Sequence, residues 1–171
     1  MTVLRATDVR FSRNGRDLVA PFSLTLAAGE RADLVQPTAY AASLAARLCG
    51  AIVKPSGGSV FIGDYETRLQ APQAKRRVGF VDAAGFLGDT HAFACEVAFH
   101  AECWGVAPAL ARERAASVLA ALEGNDRYAR AVALALVAET ALVVLDQPTG
   151  EVAARVRALA AGAGLLVTTS P

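Results

Sequence analysis

The residues of this chain that could do chemistry are few and scattered. Asp146 is the most pointed of them, ending the unbroken apolar run Ala141-Leu142-Val143-Val144-Leu145. A carboxylate delivered to the end of a buried strand either holds a metal or takes hydrogen-bond donors. Gln147 follows it, and an amide can orient a water but cannot accept its proton. Asp33, near the end of a shorter apolar segment, faces the same choice, with pairing to a neighbouring arginine the expected outcome. His91 and Cys95 are spaced i, i+4 on one predicted helix and His100 and Cys103 i, i+3, but the two pairs point to different sides, so no zinc set is expected. The stretch Gln36-Pro37-Thr38-Ala39-Tyr40-Ala41-Ala42-Ser43-Leu44 lies between an apolar run ending at Leu34-Val35 and a helical pattern that runs to Gly50. A strand-to-helix junction is where a phosphate-gripping loop belongs: glycines to turn backbone N–H groups inward, a lysine for the oxygens and a hydroxyl for Mg²⁺. The stretch holds no glycine and no lysine, and its aliphatic hydroxyls are Thr38 and Ser43.

The elements that must position these residues follow from pattern. Val3 to Phe11 and Leu18 to Leu26 read as strands joined by the turn Arg13-Asn14-Gly15. After the turn Ala27-Ala28-Gly29-Glu30, a short strand runs through Leu34-Val35, and a helix from Thr38 carries Leu44 and Leu48 on one face. Pro55-Ser56-Gly57-Gly58 turns into the strand Ser59 to Ile62, and Arg77 to Val81 is another. His91 to Leu122 is helical, interrupted at Gly105 and Pro108, with Phe93, Val97 and Trp104 as a core stripe. A further helix covers about 126–138, capped by Asn125 or Asp126. The strand into Asp146, a helix from Glu151 and the strand Gly164 to Thr168 complete the order. Early strands that pair as hairpins and later strands that alternate with helices predict an antiparallel β patch beside a parallel α/β core.

Bulk composition narrows the function. The 171 residues suit one domain; 54% are hydrophobic but only 6% aromatic, which fits helices on a buried sheet. With 17 basic and 16 acidic residues the net charge is +1, which argues against nucleic acid as a partner. Three cysteines, an odd number, and the absence of a signal-like start lead to the expectation of reduced thiols in the cytoplasm.

Leu145-Asp146-Gln147-Pro148-Thr149 after an apolar strand resembles the L-D-E-P-T of the nucleotide-binding subunits of ABC transporters. Further stretches line up in family order. Gly29-Glu30-Arg31 resembles G-E-R, and Pro55-Ser56-Gly57-Gly58-Ser59-Val60 with Gly63 resembles P-x-x-G-x-V…G. Arg77-Val78-Gly79-Phe80-Val81 is similar to the R-x-G-Y-V strand before the Q-loop. Leu122-Glu123-Gly124-Asn125-Asp126-Arg127 stands where L-S-G-G-Q-R opens the signature helix, and Leu166-Val167-Thr168-Thr169 where the strand ending in T-H closes the site. The resemblance covers nearly the whole chain. It implies a P-loop NTPase-like ABC nucleotide-binding domain over residues 1–171, with a reduced helical subdomain at about 84–138.

For the chemistry, the resemblance implies a degenerate and shortened member. Gln36, Ala39 and Ala41 stand at the loop's glycine positions and Ala42 at the lysine position. Ser43 matches the Mg²⁺ hydroxyl. Alanine forced into the left-handed region costs about 1–2 kcal/mol, and a lost charged hydrogen bond about 1.5–3 kcal/mol. A loss of ~4–6 kcal/mol over the loop would take a micromolar ATP site to roughly tens of millimolar. Gln147 stands at the catalytic Glu position, Thr169 at the switch His, Ala83 at the Q-loop Gln, and Arg13 or Asn14 at the adenine-stacking aromatic. Gly124 is the remnant of the signature, where Glu123 and Asp126 set carboxylates against a partner's γ-phosphate. The S-A-L-D segment after Thr149 is missing.

The expectations are therefore a vestigial site in which Asp146 either holds a metal with Ser43 or hydrogen-bonds it, no resident metal, and no cofactor, with ATP and Mg implied by the resemblance alone. Thr38 should cap a helix that begins early, with Tyr40 and the alanines closing the old phosphate cavity; the alternative leaves Tyr40 on the surface. The implied role is a non-hydrolysing pseudo-ATPase, a structural or regulatory transporter subunit whose partners are a membrane permease, an intact ABC ATPase subunit, or both, with dimerisation and a place at the inner face of the membrane. A weak or atypical ATPase component and a freestanding binding module are the alternatives.

Overall fold

The computed structural model describes residues 1–171. Two four-stranded sheets form the frame. In the antiparallel sheet, β1 (Thr2–Arg13) lies between β2 (Arg16–Ala27) and β4 (Gly57–Ile62), and the two-residue β5 (Tyr65–Glu66) flanks β4. The β1–β2 hairpin closes at Asn14 and Gly15, with φ of 52° and 73°, the positive pair that a tight hairpin turn demands. Gly58 has φ 72°, and any Cβ there would run into the Asp8 carbonyl, so the Gly57-Gly58 entry to β4 is fixed by backbone approach.

The parallel sheet has the order β3 (Arg31–Val35), β8 (Gly164–Thr169), β7 (Leu142–Asp146), β6 (Val78–Val81). Both faces are covered, which is why β7 is apolar without alternation. Leu142, Val144 and Leu166 pack with α1 (Ala39–Cys49) and the antiparallel sheet. Val143, Leu145, Leu165 and Val167 pack against the helices on the other face. Those are α3 (Thr90–Trp104), α4 (Pro108–Ala121), α5 (Arg127–Leu136) and α6 (Gly150–Leu159), while the short α2 (Ala71–Lys75) precedes β6. Gly105, in the left-handed region at φ 66°, ends α3, and Pro108 opens α4, where its missing N–H costs nothing. No helix is long and apolar enough to cross a membrane.

The antiparallel patch and parallel core agree with the sequence expectation. Asp126 caps α5 by accepting from the Ala129 N–H at 2.8 Å. The short α2 has no counterpart in the sequence reading, because five residues containing a proline carry no helical period.

Candidate functional site

Parallel pairing brings the site together. The register sets Asp146 opposite Thr168 and Val35 opposite Thr169, so the carboxyl ends of β3, β7 and β8 open onto one place, the usual ligand position of an open α/β sheet. The Gln36–Leu44 stretch and the N-terminus of α1 stand above it.

Thr38 caps α1, its Oγ1 accepting from the Ala41 N–H at 3.1 Å, and the helix begins at Ala39. No residue from Gln36 to Leu44 has positive φ. The strain expected of alanines at glycine positions is therefore absent: the segment has become ordinary helix, where alanine is the most favourable residue. Ala42 is completely buried. Gln36, 2% exposed, turns back onto β2. Its Oε1 accepts from Ala20 N–H at 2.9 Å and its amide donates to Ala20 O at 3.3 Å, while its own N–H donates to Thr169 O at 2.9 Å.

Tyr40 does not close the cavity. It is 63% exposed, because Tyr40, Ser43 and Arg47 form one stripe of α1 at i, i+3, i+7, and the first residue of that stripe overhangs into solvent. The buried alanines, Ala41 and Ala42, pack into the core instead.

Ser43 is the hub. Its hydroxyl donates to Asp146 Oδ1 at 3.0 Å and accepts from Gln147 Nε2 at 3.0 Å. The same Gln147 amide reaches Ala39 O at 3.3 Å. Gln147 takes φ 50°, a strained value that swings its side chain toward α1 while its N–H donates to Thr168 O at 2.9 Å. Asp146 is fully buried; the Ala83 N–H lies 3.4 Å from its Oδ2 and the Thr168 hydroxyl 3.5 Å from its Oδ1. Burial pushes the Asp146 carboxyl above the usual range, against the pull of Ser43 and Ala83. Nearby, Arg47 and Asp82 pair at 2.8 Å. Burial raises Asp82, but the Ala84 N–H and Arg47 outweigh it and hold the carboxyl low. Tyr128 donates to Asp146 O at 3.2 Å, and burial raises its phenol.

The remaining predicted positions are more dispersed. Thr169 offers its backbone carbonyl to Gln36, and it is the hydroxyl of Thr168, one residue earlier, that approaches Asp146. Glu123 does not present a free carboxylate: with φ 52° it meets Arg155 at 3.0 Å, and Arg155 also holds Glu151 at 2.8 Å. Asp126 is spent as the α5 cap, and Asn125 Oδ1 accepts from Arg130 at 2.8 Å. Gly124 has ordinary φ and room for a Cβ, so nothing there requires glycine. Asp33 pairs with Arg31 at 2.6 Å. Arg13 and Asn14 form the hairpin turn.

The Arg47–Asp82 pair, the Gln36–Ala20 contacts and the Tyr128 bond were not foreseen. Arg47 lies one helical turn beyond Ser43, a signal that could have found it; the other two depend on distant segments and leave no trace in local sequence.

No family model matches the chain. It is 29% identical over 153 residues to the lipoprotein-releasing system ATP-binding protein LolD of Gluconobacter oxydans, covering 78% of this chain and 66% of that protein. It is 26% identical over 162 residues to the putative 2-aminoethylphosphonate import ATP-binding protein PhnT of Salmonella typhimurium, covering 87% of this chain and 44% of that protein. The chain thus spans less than two thirds of these relatives. Among solved structures, the ATP-binding subunit of an ABC transporter superposes with TM-score 0.79 at 15% identity, over 98% of this chain and 79% of that one. An ATP-binding cassette dimer in a post-hydrolysis state with ADP and Pi gives 0.75 at 17%, over 96% and 87%. The chain has the fold of the ATP-binding domains of ABC transporters.

Proposed function

We propose that this chain is a non-hydrolysing member of the ABC ATP-binding subunits, working by shape as a structural or regulatory part of a membrane transporter. The observation that carries the reading is the state of Ser43. The one hydroxyl left of the phosphate and metal grip is held between Asp146 and Gln147, 3.0 Å from each. Mg-ATP does not fit the residues present. A lysine position occupied by fully buried Ala42 offers no cation to phosphate oxygens. The Gln36–Leu44 segment runs into helix without the positive-φ turn that points successive N–H groups at an anion. Gln147 has no basic oxygen with which to deprotonate water, so no hydrolytic step is written for this site.

The signature end supports the same reading. Glu123, Asn125 Oδ1 and Asp126 are engaged with Arg155, Arg130 and the α5 N-terminus of their own chain. Residues 1–171 act as one domain. Its helical part, about 84–138, meets a permease and so places the protein at a membrane surface, while an intact ABC ATPase in the same assembly does the chemistry. Asp146 serves to tie α1 to the sheet.

Isothermal titration with Mg-ATP tests the reading. No saturable heat is expected at sub-millimolar nucleotide, and the restoring pair Ala42→Lys with Gln147→Glu is expected to hydrolyse nothing. Saturable binding by the natural protein overturns it, whereas turnover by the pair would show that the loop had kept its shape.

A further inference from the structure

Away from the Ser43–Asp146 region, a pair of metal-ligating side chains stands open to solvent. His91 and Cys95 are one turn apart on α3 and both exposed, and the Cys95 sulfur lies 3.8 Å from His91 Nε2. A tetrahedral zinc ion, with bonds of about 2.05 Å to nitrogen and about 2.3 Å to sulfur, sets two such atoms about 3.6 Å apart. The pair therefore has the bite of a chelate before any ion arrives, because the helix repeat has already brought its two donors together. His100 and Cys103 do not extend it: His100 is stacked on Trp104 with ring centroids 5.3 Å apart, and its Nδ1 lies 3.1 Å from Glu96 O. No group of three or more His, Cys, Asp or Glu side chains in the chain is placed to hold a metal. One copy thus offers two ligands, half of a structural zinc set.

We propose that His91 and Cys95 bind zinc together with the same two side chains of a second copy, forming a His₂Cys₂ set on a two-fold axis between two α3 helices. The face around the pair admits this. Ala94 and Ala98 are exposed and small, and helices approach most closely where their contact residues are small. Phe99, 57% exposed and one turn beyond Cys95, gives the contact an apolar edge. Glu96, the one charged residue between His91 and Phe99, is only partly exposed and lies 3.6 Å from His100, so two such faces meet without strong like-charge repulsion. A two-fold axis through the ion makes the contact self-complementary, as an isologous interface requires. On binding, each Cys95 thiol gives its proton to solvent and each imidazole enters neutral, so two thiolates cancel the charge of one Zn²⁺.

Iodoacetamide labelling of the natural protein, mapped by peptide mass, tests the site together with sedimentation. In EDTA, Cys95 and Cys103 should both be alkylated and the chain should carry no metal-dependent dimer. At about 10 µM free zinc, alkylation of Cys95 is expected to slow about tenfold or more while Cys103 reacts as before. Sedimentation under the same conditions should show a dimer with one zinc per two chains. Cobalt in place of zinc should give thiolate charge-transfer absorption and the strong visible bands of a tetrahedral site. Cys95→Ser and His91→Ala, both at exposed positions, should each raise the zinc concentration needed for the dimer about tenfold or more, and Cys103→Ser should leave it unchanged. The proposal is overturned if Cys95 stays equally reactive at about 100 µM zinc. It is also overturned if Cys95 is protected in a chain that remains monomeric, or if the zinc-dependent dimer survives both His91→Ala and Cys95→Ser.

Discussion

Replacing Gln147 by glutamate would give the site back the residue type that the family resemblance places there, and the structure says the cost should be measurable. The Gln147 amide donates to Ser43 Oγ at 3.0 Å and Ala39 O at 3.3 Å; a glutamate has no donor for either, a loss of about 1 kcal/mol per bond. The new carboxylate also faces Asp146 across Ser43. Since Asp146 Oδ1 and the Gln147 amide each lie 3.0 Å from Ser43 Oγ, two carboxylate oxygens there would be no more than about 6 Å apart, and the single hydroxyl proton can serve only one of them. Coulomb repulsion at that distance is worth about 3 kcal/mol at an effective dielectric of ~20, and solvent on the open side trims it to about 2 kcal/mol. The expected loss is therefore about 3–5 kcal/mol, a large share of the ~5–15 kcal/mol stability of a domain. It should depend on pH, because one proton shared by the pair relieves the repulsion. Urea denaturation in EDTA should show Gln147→Glu strongly destabilised at pH 8 and much less so at pH 5, while Gln147→Ala loses about 2 kcal/mol at both. A glutamate variant as stable as the natural protein at pH 8 would refute the reasoning.

Three further outcomes follow from single contacts. Thr38→Ala should cost about 1 kcal/mol in chemical denaturation, with Thr38→Ser restoring most of it, because the side-chain cap of α1 is lost; equal loss in both variants would remove the cap from the account. Cys49 is fully buried and its thiol is pushed up to about 12, so a thiol reagent should titrate two cysteines, Cys95 and Cys103, in the folded protein and a third only in denaturant. Asp146 has a folded-state pKa above its unfolded value. Its favourable contribution is thus complete below the unfolded value and is lost as pH rises through the folded one. The stability of Asp146→Asn relative to the natural protein should accordingly improve between pH 3 and pH 7, and a difference that stays flat or falls would contradict the assigned shift.

What could be read from the sequence, and what could not, separates along the range of the interactions. The strands followed from apolar runs bounded by turn residues, and Thr38, Gly105, Pro108 and Asp126 marked helix ends because capping and φ preferences are local. The site's long-range partners were invisible. Nothing near Gln36 announces that its side chain will pair with Ala20 sixteen residues earlier, and nothing near Tyr128 announces Asp146. The strain was misplaced for a related reason. Assigning left-handed geometry to Ala39 and Ala41 assumed that the loop kept its shape when its glycines went. A chain of alanines behind a threonine cap has a cheaper solution in helix, and positive φ values appear instead at Asp8, Asn14, Ala51, Glu123 and Gln147, in the last two of which Arg155 and Ser43 hold the side chains.

That relocation bears on how Asp146 is satisfied within the chain. A carboxylate buried at the end of the central strand needs positive partners, and here they are supplied by neutral dipoles: the Ser43 hydroxyl, the Ala83 N–H and, at the limit of contact, Thr168. Such donors satisfy an acid but do not neutralise it as a cation would, which is why burial still wins and the Asp146 pKa rises. Gln147 completes the arrangement by donating to Ser43 Oγ, so that the hydroxyl's own proton is aimed at Asp146. The strained backbone of Gln147 is the structural cost of that orientation, about 1 kcal/mol for a residue in the left-handed region, offset by two hydrogen bonds that pin α1 to β7. A glutamine is suited to this position because its amide is a donor that brings no second charge. The same property that removes it as a base lets it hold Ser43 against Asp146.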